Sequence, residues 1–313
     1  MSDIKLFRTK GTVEEIPGTS VTVEKSLQVL FENNLEALLG VRKLESEYYT
    51  GPVHRGRIDT LGIDENHTPV IIEYKRATNE NVINQGLYYL DWLLDHKAEF
   101  QLLVQKKLDR ETADSIDWTA PRLICIAGDY TKFDQYAVQQ INRHIELLRY
   151  KRYGDDLLLL ELVNVPNSSK DFGSSPRGSS DNVDIGEDWV KPTGPYKTFE
   201  DNLNQADSSL YDLYSALRDY ILALGDDVQV KRLKYYEAFK RIRNIASVII
   251  QPQVRNLLVI VRVDPDTVTV EEGFTRNVRN IGHWGTGDLE ITLRSMDDLE
   301  KAKPFLNLAY ERS

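Results

Sequence analysis

Cysteine is almost absent from this chain. Cys125 is alone among 313 residues, which excludes a disulfide framework and leaves no set of thiolates to hold a metal. It lies in the apolar run from Leu123 to Ala127 and reads as a small buried core residue. Long hydrophobic runs are missing too. No stretch approaches the roughly 20 apolar residues that a membrane helix needs, and Leu157 to Leu160 is only strand-sized. Met1 to Lys10 is polar and has no signal core, so the expected compartment is the cytoplasm and no membrane partner is expected. His54, His67, His96, His144 and His283 show no metal-ligand spacing of the HxxxH kind. A Walker A loop, a GxGxxG fingerprint and a GxSxG elbow are also missing, which argues against P-loop, Rossmann and serine-hydrolase chemistry. Positive charge is in deficit, with 39 Lys and Arg against 49 Asp and Glu, a net charge of −10. That balance opposes wholesale nucleic-acid binding but leaves room for a local basic groove.

What is present suits a globular protein of two ordinary domains: 41% hydrophobic and 28% charged residues. The sharpest compositional break runs from 164 to 194, rich in Ser, Gly, Asp and Pro. It reads as a flexible linker between domains 1–163 and 195–313, because too little apolar surface is available to offset ordering. In the first domain the apolar spacing predicts one helix from Val23 to Leu39, stopped by Gly40. Extended segments follow at 44–49, 57–63 and 70–75, the last two joined by the turn-rich Asp64 to Pro69. Helices are expected over 79–96, 97–108 and 133–142, and strands over 122–127, 145–150 and 157–163. This is a mixed α/β domain with a central sheet. The second domain reads as a separate α+β unit, with helices at 208–224 and 296–310 around strands near 229–233, 238–241, 247–251, 257–263 and 290–294.

The residues with the most chemistry lie in the 57–63 and 70–75 strands. Glu73 and Lys75 are two apart and project from one face, with Tyr74 facing the other. Charges set directly after Val70-Ile71-Ile72 are expensive to bury unless they pair or act. The hairpin brings Asp59 alongside Glu73, and two converging carboxylates make an oxygen site suited to Mg²⁺ or Mn²⁺. Lys75 beside them is placed to orient or deprotonate a water, or to steady charge on a phosphate. The plain alternative for Glu73 and Lys75 is an exposed surface pair. His67 reads as a solvated turn residue, His54 as a neighbour of the site without a role as base, and Tyr88, Tyr89 and Trp92 as core packing, with base stacking as the alternative.

Asp59 followed by Glu73-Tyr74-Lys75 resembles the D…(D/E)xK signature of the PD-(D/E)xK nuclease superfamily. Gly56-Arg57-Ile58-Asp59 and Glu73-Tyr74-Lys75-Arg76 more closely resemble its NucS/EndoMS group, and Gln85-Gly86-Leu87-Tyr88-Tyr89 resembles the helical Gln-xxx-Tyr element of many such nucleases. The likeness covers about Val23 to Val163. It implies a restriction-endonuclease-like fold and Mg²⁺-dependent cleavage of phosphodiester bonds in DNA, structure- or mismatch-directed and serving repair or defence. It further implies metal held by Asp59, Glu73 and one helix carboxylate. Glu24 is the best match, with Glu32 and Glu36 as competitors. Gln85 would position water or phosphate, and Arg57 and Arg76 would contact backbone; a plain helix-surface glutamine and ordinary solvated arginines are the alternatives. Ile58 stands where the superfamily signature has Pro. Related enzymes are dimers, so a homodimer is brought in by resemblance, although no dimer seam is readable.

In the second domain Lys231, Arg232, Lys240, Arg241 and Arg243, interleaved with Tyr235, Tyr236 and Phe239, form a local basic and aromatic cluster that could touch nucleic acid. A charge-protected sheet edge is the competing account. Residues 282–288, Gly-His-Trp-Gly-Thr-Gly-Asp, suggest a tight turn or a close backbone approach, with Trp284 plugging the core or lining a pocket. From about Leu210 to Tyr310 the domain resembles a small family labelled "predicted transport protein" and found fused to nuclease-like domains. Against the nuclease stands a reading of another class, a non-catalytic nucleic-acid-binding or protein-interaction module that keeps the nuclease fold.

Overall fold

Three near-continuous apolar runs, Val70–Ile72, Leu123–Ala127 and Ile145–Leu148, become the middle strands of one sheet and are covered on both faces, as parallel strands require. The computed structural model describes residues 4–19, 24–75, 81–164 and 197–313. Two compact units divide the chain, Met1–Asn167 with Ile242–Asn244, and Ser168–Arg241 with Ile245–Ser313. The expected linker lies outside the described residues except Asn164, whose amide donates to the Ile145 carbonyl and accepts from Leu147 N.

In the first unit the strands are β1 (Leu6–Arg8), β2 (Glu14–Ile16), β3 (Gly18–Thr19), β4 (Val41–Tyr49), β5 (Arg57–Asp64), β6 (Pro69–Lys75), β7 (Arg122–Ala127), β8 (His144–Tyr153) and β9 (Leu157–Leu162). β1 and β2 pair apart from the rest. The sheet runs β3-β8-β7-β6-β5-β4, with β9 on β8. β6, β7 and β8 are parallel, while β4, β5 and β6 form an antiparallel meander. This is the expected mixed central sheet. The helices are α1 (Glu24–Glu32), α2 (Leu35–Leu39), α3 (Gly51–His54), α4 (Asn81–Asp95), α5 (Lys97–Lys107), α6 (Arg110–Asp114) and α7 (Lys132–Gln140).

Alternation along β6 divides the core. Val70, Ile72 and Tyr74 join Ile124, Ile126, Leu148 and Tyr150 beneath Leu27, Phe31, Leu35 and Leu39 of α1 and α2. Ile71 joins Leu123, Cys125 and Leu147 beneath Leu90, Trp92 and Leu93 of α4 and Phe100 and Val104 of α5. The helix expected over Val23–Leu39 is therefore two helices. They part at Asn33-Asn34, where the Asn34 amide donates to the Leu30 carbonyl and competes with the helical ladder. Gly40 ends α2 in the left-handed region, as expected. β4 begins three residues earlier than its apolar pattern suggested, because its pairing slips between Lys43 and Glu45 and breaks the alternation.

The second unit has an α+β make-up. α8 (Phe199–Asn204), α9 (Ser208–Leu222) and α10 (Met296–Glu311) accompany β10 (Gln229–Arg232), β11 (Glu237–Lys240), β12 (Asn244–Gln251), β13 (Asn256–Val261), β14 (Thr275–Asn277) and β15 (Leu289–Leu293). The sheet order is β10-β11-β12-β13-β15-β14. Leu213, Leu217 and Ile221 of α9 and Leu299, Leu306 and Ala309 of α10 pack with Val248, Ile250, Val259, Val261 and Ile291. Ser295, Asp207 and a Thr198–Asp201 capping box start the three helices.

Candidate active site

The pairing of β5 with β6 stops at Thr60 and Ile72. Just beyond it, each strand's next N–H turns to a carboxylate of the other. Asp59 N donates to Glu73 Oε1 at 3.2 Å, and Tyr74 N donates to Asp59 Oδ2 at 3.0 Å. The two acids thus replace the missing rungs of the ladder and are held at the fork between the strands. Gln28 of α1 secures the same point, with Nε2 donating to the Asp59 carbonyl at 2.8 Å and to Glu32 Oε1 at 2.9 Å.

Glu73 is wholly buried, and its Oε2 has no hydrogen-bond partner among the described residues. Burial first, and the Asp59 charge second, push its carboxyl up to about 9, against the pull of the Asp59 N–H and Lys75. Burial also raises Asp59, partly countered by the Tyr74 N–H and Lys75, with Glu47 and Glu24 adding like charge. Lys75 Nζ lies 3.0 Å from Glu24 Oε1. Burial works to lower its pKa, but the Glu24 hydrogen bond and the charges of Glu24, Asp59 and Glu73 outweigh it, so Lys75 stays above its ordinary value.

Asp59, Glu73 and Lys75 therefore meet as the hairpin predicts. Glu24 joins through Lys75 rather than through the carboxylates. Among the described residues no group of three or more His, Cys, Asp or Glu side chains is gathered tightly enough to hold a metal ion. Asp59 and Glu73 are the pair that could hold one, since two hard oxygen donors suit Mg²⁺ or Mn²⁺. Glu32 is occupied elsewhere: Oε1 accepts from Thr60 Oγ1 at 2.7 Å and Oε2 from Ser46 Oγ at 2.7 Å. Burial acts to raise its pKa, but bonds from Ser46, Thr60 and Gln28 prevail and lower it. Glu36 is exposed on α2. Gln85 is half-buried on α4 and bonds neither carboxylate.

Gln28 and Lys25 were not expected at the site, and Glu32 was expected there only as a competitor to hold metal. Glu24, Gln28 and Glu32 are spaced i, i+4, i+8, a polar stripe beside the apolar Leu27 and Phe31, and that spacing was the available signal. Lys25 Nζ bonds Gln28 Oε1 at 3.0 Å and Glu47 Oε1 at 2.8 Å. Glu47 has a φ of 52° and occupies the β4 position between the Ser46–Thr60 and Tyr48–Ile58 pairs, opposite Asp59.

Arg57 is exposed at the start of β5, and Arg76 lies outside the described residues. Trp92 and Tyr89 are core residues, whereas Tyr88 is exposed, a correction to the reading of all three as packing. An α4 residue four positions before the buried Trp92 and five before Leu93 falls at the rim of the apolar face. His67, expected in solvent, is half-buried with Nδ1 2.6 Å from Ser115 Oγ, and burial lowers its pKa. Of the basic cluster at 231–243, Arg232 is paired with Glu200 and Glu237, and Arg241 with Asp227 at 2.7 Å. Lys240 is buried, and Lys231 and Arg243 are half-buried. Trp284 stacks on Tyr235, with ring centroids 4.7 Å apart. Gly287 runs against the Val261 backbone, where a Cβ would collide, so the close approach expected of this segment is real.

Residues 199–313 match the family described as Domain of unknown function (DUF5655). A Haemophilus influenzae protein, described as "Uncharacterized protein", is 31% identical over 301 residues, which is 95% of this chain and 96% of that protein. Two solved structures are similar over part of the chain. The crystal structure of a repair endonuclease from Pyrococcus abyssi is 17% identical with a TM-score of 0.28, covering 44% of this chain and 51% of that chain. The structure of an EndoMS-dsDNA2 complex is 19% identical with a TM-score of 0.24, covering 44% and 48%. The chain spans about half the length of these solved chains.

Proposed function

The chain belongs to one family with the Haemophilus influenzae protein, and we propose that its first unit is a metal-dependent DNA endonuclease hydrolysing phosphodiester bonds. The observation that carries this reading is the buried Glu73 carboxyl, with one oxygen unpartnered among the described residues and its pKa raised beside Asp59. A group so placed is costly unless a cation or a proton completes it. Mg²⁺ or Mn²⁺ held by Asp59 and Glu73 would offset the charge of a phosphate and acidify a water.

The chain's own residues do the remaining work. Asp59 and Glu73 are aimed by the reciprocal bonds of the strand fork, so neither must reorganise to receive a cation. Lys75 is held as an ammonium, which makes it a donor to a phosphate oxygen or a water rather than a proton acceptor. Glu24 keeps that ammonium at the fork. Gln28 and Glu32 hold the β5 end of the fork through the Asp59 carbonyl and Thr60.

The test is cleavage of single-stranded, duplex, mismatched and branched DNA with Mg²⁺ or Mn²⁺. The reading requires cutting by the wild type and loss of cutting in Glu73→Ala and Lys75→Ala. Wild type that cuts nothing, or variants that cut equally well, would overturn it.

A further inference from the structure

The sheet of the second unit has two faces, and α9 and α10 pack on one of them. Val230 and its cross-strand partner Phe239 lie on that face with the core. Strand alternation then turns Gln229, Lys231, Ala238 and Lys240 to the opposite face. Gln229 stands directly across from Lys240, and Lys231 directly across from Ala238. Lys231 and Lys240 are thus diagonal neighbours, about 7–8 Å apart along the backbone, near enough for both ammonium groups to reach one anion. β12 and β13 carry no charged residue. The strands from β10 to β13 therefore bring two lysines and no carboxylate to this face.

Gln229 is the anomaly of this face. It is 2% exposed, and both ends of its amide, Nε2 and Oε1, are buried with no hydrogen-bond partner among the described residues. In water an amide bonds through two donor hydrogens and a carbonyl oxygen, and burial without replacements forfeits them all. A leucine would fill the same place without that cost. Other buried polar groups of the face are answered: Ser247 Oγ accepts from Thr286 N at 3.4 Å, and Glu290 is ion-paired with Arg276 at 2.9 Å. Lys240, across from Gln229, is itself almost fully buried, and Lys231 is half-buried. Residues 282–288 cross the face beside this hairpin. Gly285, at a φ of 85°, lies so close to Ser247 that a Cβ would collide. Trp284 then reaches the β10–β11 turn and stacks on Tyr235 with the ring planes 15° apart, which ties the crossing segment to the hairpin. β10 is the outer strand of the sheet, so this corner lies at the sheet margin.

We propose that Gln229, Lys231 and Lys240 form a cradle for a terminal phosphate group, one that still bears an ionisable P–OH. Its charged oxygens accept from Gln229 Nε2 and from the two ammonium groups, and the P–OH of the monoanion donates to Gln229 Oε1. Every buried polar atom of the three side chains is then matched. A carboxylate has fewer oxygens and no proton to give, and sulfate has the oxygens but no proton at neutral pH. Inorganic phosphate, a nucleoside monophosphate and the phosphorylated 5′ end of a nucleic-acid strand all present the required group. The cradle belongs wholly to the second unit and stands apart from the cleavage chemistry proposed for the first.

The experiment uses the full-length chain in EDTA, so that no divalent cation contributes, with thermal melting and calorimetric titration as readouts. The probes are inorganic phosphate, sulfate at equal ionic strength, adenosine 5′-monophosphate against adenosine, and one oligonucleotide with a 5′-phosphate or a 5′-hydroxyl. Phosphate should raise the melting temperature saturably, and sulfate should raise it less. Lys240→Met should weaken phosphate binding by about ten-fold or more. Gln229→Glu guards against a variant that merely fails to fold. Its carboxylate lies across from Lys240, so this protein should melt no lower than wild type without ligand and lose the response to phosphate. Tighter binding of adenosine 5′-monophosphate than of phosphate assigns a nucleotide as the source, and tighter binding of the 5′-phosphorylated strand assigns a nucleic-acid end; the cradle stands in either case. No saturable response to phosphate, an equal response to sulfate, or a Gln229→Glu protein that responds as wild type does overturns it. None of these outcomes depends on whether the first unit cleaves DNA.

Discussion

The β5–β6 pair has buried charge at both its ends, and the two ends are built in opposite ways. At the turn end, Arg122 donates to Glu146 through Nε at 2.6 Å and Nη2 at 2.8 Å, and to Asp64 through Nη1 at 2.9 Å. Asp64 also accepts from Asn66 N and Thr68 N, and Glu146 lies 2.9 Å from His144 Nε2. Each charge there has an opposite charge and several bonds. At the open end, two carboxylates sit side by side, one of them with an oxygen that has no partner among the described residues. The first arrangement is how a fold makes a buried ion network tolerable. The second is tolerable only with a proton or a cation supplied from outside, and that difference separates a structural cluster from a site.

The largest expected effect breaks the structural end. Arg122→Ala strands Asp64 and Glu146 in the core and should cost about 3–5 kcal/mol, read from urea unfolding. The opposite sign is expected at the open end. Glu73 keeps its proton in the native state up to about pH 9 but releases it near pH 4.5 when unfolded. Between those values the native state binds more protons, so stability is lost as pH rises. Glu73→Gln removes this loss and should stabilise the metal-free protein by about 2–3 kcal/mol at neutral pH. The gain in melting temperature should vanish near pH 4.5, widen towards pH 9, and shrink on addition of Mn²⁺, which stabilises only the wild type. A variant less stable than wild type across that range would contradict the raised carboxyl.

A smaller effect follows at Lys75. Lys75→Met should leave melting nearly unchanged, because the partner Glu24 is part-exposed, while cleavage falls by about 10²-fold. The smallest expected change is at Gln28. Gln28→Leu removes the bond to the Asp59 carbonyl and should lower cleavage or metal affinity by about 10-fold, with metal titration separating the two. An equal loss in Gln28→Leu and Lys75→Met would mean that α1 does more than position.

Much of the open end is legible in the order of residues. The turn from Asp64 to Pro69 and the two-residue spacing of Glu73 and Lys75 set Asp59 against Glu73, because strand periodicity and hairpin register act over a few residues. What is not legible comes from long range. Glu32 reaches Thr60 across 28 positions, and Arg122 reaches Asp64 across 58. The break between α1 and α2 turns on one Asn34 side chain bonding its own backbone, and no apolar periodicity reports that choice. The exposure of Tyr88 beside the buried Tyr89 depends on which side of α4 meets the hairpin connection.

Alone, then, the sequence determined the strands of the hairpin, the mixed character of the sheet and the three residues at its centre. These follow from local periodicity and from the cost of burying charge. Tertiary structure decided where the strands part, which turns Asp59 and Glu73 into each other's missing backbone partners. It also decided that Glu24 holds Lys75 while Glu32 is tied to Thr60 and Ser46, and that Glu73 is buried with one oxygen unpartnered among the described residues. Such outcomes depend on distances between segments far apart in the chain, and only packing sets those distances.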